Sequence, residues 1–172
     1  MQQTSTITKG LIIGLIMIAS GLAIYFSGMS LNSPLRWVTY CIFLIGIIVS
    51  IMQYGKEVNH NATFGNYFAH GFKISATVTI IMIIYIIIFV SLFPEMKEKA
   101  LDEARKAIDE RGNVSDDQKT QALEMTKKLF TVFLIAGTLI YNLIVGVIAS
   151  LIGAALTKKD PRPMEDINQI TV

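Results

Sequence analysis

The sequence has one cysteine, one tryptophan, two histidines and four prolines in 172 residues, and only 16% of it is charged. A lone thiol cannot form an internal disulfide, and Cys41 lies within an apolar run, which suits a small packing residue. His60 and His70 have no cluster of cysteine or carboxylate beside them, so no metal site and no cofactor is expected. Fifteen basic residues against thirteen acidic ones leave a net charge of +2 without a basic stripe, which excludes nucleic acid as a partner. No Walker, HExxH or GxSxG pattern occurs; no catalytic residue is assigned and no enzyme is expected.

What the chain has in quantity is apolar residues, at 52%. Its charges are concentrated as well, because residues 94–128 hold eight of the basic and nine of the acidic ones. The remainder contains four runs without Asp, Glu, Lys, Arg or His, each long enough for the roughly 20 residues of a spanning helix. Backbone groups in lipid must pair within their own segment, so these runs predict helices over about 10–29, 35–54, 72–93 and 129–156. Ser33-Pro34 reads as the N-cap of the second, and Pro94 should end the third at Phe93. The first run competes with a signal peptide, but its apolar stretch continues through Phe26, longer than a typical signal core, and it is read as helix 1.

The charged segment 94–128 has its own order. Ala100, Ala104 and Ile108 recur every fourth residue among charges, which predicts an amphipathic helix. Gly112-Asn113 should stop it, and Ser115-Asp116-Asp117-Gln118 supplies a capping box for a second helix leading into the fourth span. The fold expected is therefore all-α: a single-domain integral membrane four-helix bundle with an extramembrane helical hairpin between helices 3 and 4, and a polar tail over 157–172.

Packing chemistry is most visible in helix 1, where Gly10 and Gly14 have GxxxG spacing and Gly14, Gly21 and Gly28 repeat every seven residues. Helix 4 offers a matching seam in Gly146, Ser150 and Gly153, and the two seams are expected to pack on each other. Tyr85 and Asn142 are the most polar groups at bilayer depth. Asn142 is read as an interhelical polar clamp, so Asn142→Leu should loosen helix pairing. The lack of ionisable residues in the runs weighs against a pump or proton-coupled transporter.

Ahead of helix 3 stands Thr63-Phe64-Gly65-Asn66-Tyr67-Phe68-Ala69-His70-Gly71-Phe72-Lys73. Phe64, Tyr67, Phe68 and Phe72 recur at helical spacing between Lys56 and Lys73, which suits an interfacial anchor; a lipid or ligand contact through His60, His70 and Lys73 is the sharper alternative. With the proline-led charged hairpin and the Lys158-Lys159 tail, this stretch resembles the bacterial membrane family catalogued as domain of unknown function 4199, found mainly in Bacteroidota. That resemblance covers essentially the whole chain. It implies a four-helix inner-membrane protein and carries no functional residue with it.

Four spans place both termini on one side with the 55–73 loop. That side has six basic residues and the opposite side nine, yet near the membrane the count is six against five, which favours cytoplasmic termini. The partners expected are membrane lipids and either another membrane protein or a second copy of the chain. Two roles fit: a non-enzymatic accessory or scaffold subunit, or a small oligomeric transporter or channel lined by Thr77, Thr79, Tyr85, Asn142 and Ser150.

Overall fold

The computed structural model describes residues 5–27, 36–110 and 115–158. They form five helices: α1 Thr6–Phe26, α2 Arg36–Glu57, α3 Phe64–Leu92, α4 Glu95–Glu110 and α5 Asp116–Leu156. The fold is all-α, and α1, α2, α3 and α5 are long and apolar enough to cross a membrane. Gly28, the Ser33-Pro34 cap, Gly112-Asn113 and residues 159–172 lie outside the described residues.

Two boundaries differ from the expected ones. The third helix begins at Phe64 rather than near 72, so the aromatic stretch forms the first turns of α3. No proline interrupts it, and Gly71 is used for packing. The fourth span likewise continues the second arm of the hairpin as one 41-residue helix, α5. Its start carries the capping box: Ser115 N–H donates to Gln118 Oε1 at 3.2 Å and Gln118 N–H donates to Ser115 Oγ at 3.4 Å. Between α3 and α4 the chain breaks at Phe93-Pro94, since proline has no N–H to continue the ladder.

The end of α2 is set by backbone conformation. Asn59 and His60 have φ of 51° and 59°, His60 N–H donates to Gly55 O at 2.7 Å, and Asn59 N–H donates to Lys56 O at 3.1 Å. This is a Schellman closure with asparagine in the left-handed position that glycine usually fills. It reverses the chain so that α3 starts only a few residues after α2 ends.

The residues cluster into two compact units, Met1–Ile81 with Asn142–Val172, and Met82–Tyr141. In the first, α1, α2, the early turns of α3 and the last turns of α5 enclose Phe43, Ile47, Ile51, Tyr67, Ile74 and Val78, all fully buried. Lys9, Ser50, His70, Ser75, Asn142 and Ser150 are buried beside them. Leu11, Ile12, Leu15 and Ile16 of α1 face outward, as do Leu143, Ile144, Ile148 and Leu151 of α5. An apolar exterior around a core that also holds buried polar and charged side chains is unfavourable in water and suits lipid. In the second unit, an exposed Lys119–Asp109 ion pair of 2.9 Å joins α4 to α5; the half-buried stripe Ala100, Ala104 and Ile108 matches the expected spacing. α4 itself buries no residue.

Candidate functional site

The most polar part of the first unit lies where α1 and α3 begin and α2 ends. Lys9, one turn into α1, is 5% exposed and its Nζ donates to Glu57 Oε1 at 2.8 Å. Glu57 is the last residue of α2, and its other oxygen, Oε2, is buried without a hydrogen-bond partner among the described residues. A buried charge pair is retained only with close geometry, because desolvation of both ions opposes their attraction.

His70, on the second turn of α3, stacks on Tyr54 of α2 with ring centroids 4.1 Å apart and planes 7° from parallel. Its Nδ1 faces Thr6 Oγ1 at 3.4 Å, while Nε2 is buried and unpartnered among the described residues. Tyr67 meets Tyr54 edge-on at 5.9 Å. Ser5, Thr6, Tyr54, Glu57, Asn66, Ala69, His70 and Lys73 line a cavity of about 360 Å³. It joins acceptors, a cation and aromatic faces within one compact unit.

The aromatic stretch ahead of helix 3 therefore divides in two. Phe64 is exposed and Phe68 stacks on Phe72 at 6.1 Å, both half-buried, whereas Tyr67, His70, Gly71 and Ile74 turn into the core. A helix advances about 3.6 residues per turn, so Tyr67 cannot share an outward face with all three phenylalanines. Lys73 is exposed on the cavity wall. His60 lies elsewhere: its Nδ1 bonds to Lys158 O at 3.0 Å, tying the turn after α2 to the residue that follows α5 by two.

The small-residue seams find different mates from those expected. A Cβ on Gly10 would meet Thr77 Cβ at 2.7 Å and one on Gly14 would meet Ile81 at 3.2 Å, so this seam rests on α3. Gly146 rests on Ser75 of α3, and Gly153 lies against Ile51 and the Ile48 backbone of α2, with Ile48 Cα at 3.3 Å. Gly71 faces Ile51 and Ser150. Gly21 has nothing within 4 Å. The two seams do not mate because α3, with serine, threonine and glycine on its inner face, receives Gly10, Gly14 and Gly146, while Gly153 packs on α2.

The polar residues of the spans turn to their own helices. Thr77 Oγ1 donates to Lys73 O, Thr79 Oγ1 to Ser75 O and Ser150 Oγ to Gly146 O, all within 3.0 Å. Asn142 is 2% exposed; its backbone carbonyl accepts from Ser75 Oγ at 3.2 Å, but its side-chain Nδ2 has no partner among the described residues. The contact runs through the Asn142 main chain, not through the amide clamp expected from the sequence. Tyr85, in the second unit, is half-buried beside Phe89 at 5.3 Å.

Sequence reasoning missed Glu57, Tyr54 and Thr6. One signal was present: Glu57 is the only acidic residue in the first 94, and Lys9 is the only base before Arg36. A family model described as a protein of unknown function (DUF4199) matches residues 8–159. No curated protein and no solved structure matches the chain.

Proposed function

The chain belongs to the DUF4199 family of proteins of unknown function, and from its geometry we propose a non-enzymatic accessory or scaffold subunit of a bacterial inner membrane. In this reading the four apolar helices form a bundle across the bilayer with both termini cytoplasmic, and the α4–α5 hairpin stands outside it. The observation that carries it is the fate of the polar side chains on the spans. The hydroxyls of Thr77, Thr79 and Ser150 donate to carbonyls of their own helices, and Ser150 and Asn142 are buried, so the three hydroxyls offer no free donor to a path. The exposed charges of α4, including Glu98, Asp102, Glu103, Arg105 and Lys106, offer the opposite surface, a solvated face for a partner.

A small oligomeric transporter or channel is the second reading. It is favoured by Lys9, Glu57 and His70, since ionisable residues on spanning helices commonly mark transport pathways.

Extraction of tagged protein with its native lipid shell, followed by intact-particle mass and identification of bound proteins, separates the two. The scaffold reading expects a stoichiometric second protein that is lost with Asp102→Lys/Glu103→Lys. A pure homo-oligomer that passes solute in reconstituted vesicles overturns it. A reporter active only in the periplasm, fused at Gly112 and at Val172, is expected to be active at Gly112 alone; activity at Val172 alone reverses the orientation.

A further inference from the structure

Residues that line the cavity at the helix ends carry an unusual set of unspent groups. Glu57 has one oxygen on Lys9 and one buried and unpartnered. His70 is 8% exposed, with Nε2 unpartnered and its ring plane fixed by Tyr54. Lys73 lines the same cavity and makes no ion pair among the described residues. Buried polar atoms without partners are rare and call for a ligand or water that satisfies them.

We propose that this cavity seats a primary-ammonium phosphodiester, the headgroup chemistry of phosphatidylethanolamine, with the ammonium at Glu57 and His70 and the phosphate at Lys73. An ammonium has three N–H donors. One answers Glu57 Oε2, and a second answers His70 Nε2 when Nδ1 carries the ring proton and donates to Thr6. Lys9 is already committed to Glu57, so Lys73 is the cation left for a phosphate. A purely anionic headgroup would satisfy Lys73 but leave Glu57 Oε2 facing like charge. A trimethylated choline would bring charge without N–H donors.

Size and position agree with this assignment. The volume of about 360 Å³ falls within the roughly 300–1,000 Å³ of small-molecule sites. The lining residues come from the first residues of α1, the last of α2 and the first turns of α3. Those are the ends of three candidate spans, the depth at which headgroups lie.

The test uses the full chain, delipidated in detergent and offered dioleoyl phosphatidylethanolamine, phosphatidylglycerol or phosphatidylcholine, with bound lipid read by native mass spectrometry. Phosphatidylethanolamine is expected to be retained about tenfold more strongly than either competitor, the scale of one lost charge-assisted hydrogen bond. Glu57→Gln should remove that preference, and Lys73→Gln should weaken phosphatidylethanolamine and phosphatidylglycerol together. Should Glu57→Gln fail to fold because Lys9 is left buried alone, Lys9→Met/Glu57→Gln removes both charges and is expected to lose the preference equally. Equal retention of the three lipids, a preference that survives in the folded Glu57 variant, or unchanged retention of phosphatidylethanolamine and phosphatidylglycerol by Lys73→Gln overturns the proposal. Water-soluble glycerophosphoethanolamine distinguishes the sources: if it displaces the lipid, the headgroup alone is recognised; if it does not while phosphatidylethanolamine binds, the membrane lipid is the ligand.

Discussion

Gly146→Ala should be among the most damaging single-methyl additions in this chain. A Cβ at position 146 would overlap Ser75 Oγ and come within 2.6 Å of Ser75 Cβ. Ser75 is 2% exposed and its side chain is a single CH2–OH, so it has no flexible end to withdraw. Rotating it would break its bond to Asn142 O, and leaving it in place would force α3 and α5 apart around Phe43 and Val78, which are fully buried. Overpacking of this kind costs about 1–3 kcal/mol, and loss of a buried hydrogen bond adds about 1 kcal/mol. Against this, alanine gains up to about 1 kcal/mol of helix propensity over glycine. The net expectation is a destabilisation of about 2 kcal/mol. Gly21→Ala is the control, because its Cβ meets nothing within 4 Å; it is expected to be neutral or stabilising by up to about 1 kcal/mol. Reversible unfolding by sodium dodecyl sulfate in mixed micelles, followed by circular dichroism, reads both variants on one scale. Ser75→Gly should relieve Gly146→Ala in the double variant, giving a coupling energy above about 0.5 kcal/mol. If Gly146→Ala and Gly21→Ala shift the midpoint equally, or the double variant is additive, the close approach of α5 to α3 at this level is refuted.

Other positions give sharp outcomes. Lys9→Met strands Glu57 as an uncompensated buried charge and should destabilise by about 3–5 kcal/mol, with Lys9→Met/Glu57→Gln recovering most of it in the same unfolding assay. Asn59 has φ 51°, so Asn59→Val should cost about 1–2 kcal/mol while Asn59→Gly stays near wild type, as thermal unfolding in detergent would report. Asn142→Leu removes a buried amide nitrogen that has no partner and leaves the main-chain carbonyl in place; thermal stability should hold or rise, and a fall with loosened helix pairing would restore the side-chain clamp.

Much of the architecture is legible because it follows from local rules. Apolar runs bounded by charge specify four long helices, Pro94 removes the donor that would carry α3 onward, and Ser115 with Gln118 closes its capping box across three residues. The site was far less legible. Lys9 and Glu57 are 48 residues apart, and each alone looks like an ordinary charge at the edge of a span. Nor does spacing say which of Tyr67 and Phe68, adjacent on one helix, is to be fully buried.

By itself the sequence determined the four long apolar helices and the charged segment between the last two, since hydrogen bonding within a helix and transfer of side chains from water are local quantities. Only the tertiary structure decided that Gly10 and Gly14 of α1 and Gly146 of α5 rest on α3, that Asn142 contributes its main chain rather than its amide, and that Tyr54, Glu57, His70 and Lys73 line one cavity with Lys9 bonded to Glu57 behind it. Those outcomes depend on which helix faces come together in three dimensions. A linear pattern of small and polar residues marks a face as able to pack closely, and the identity of its mate is set by the shapes and unsatisfied groups of every other helix competing for it.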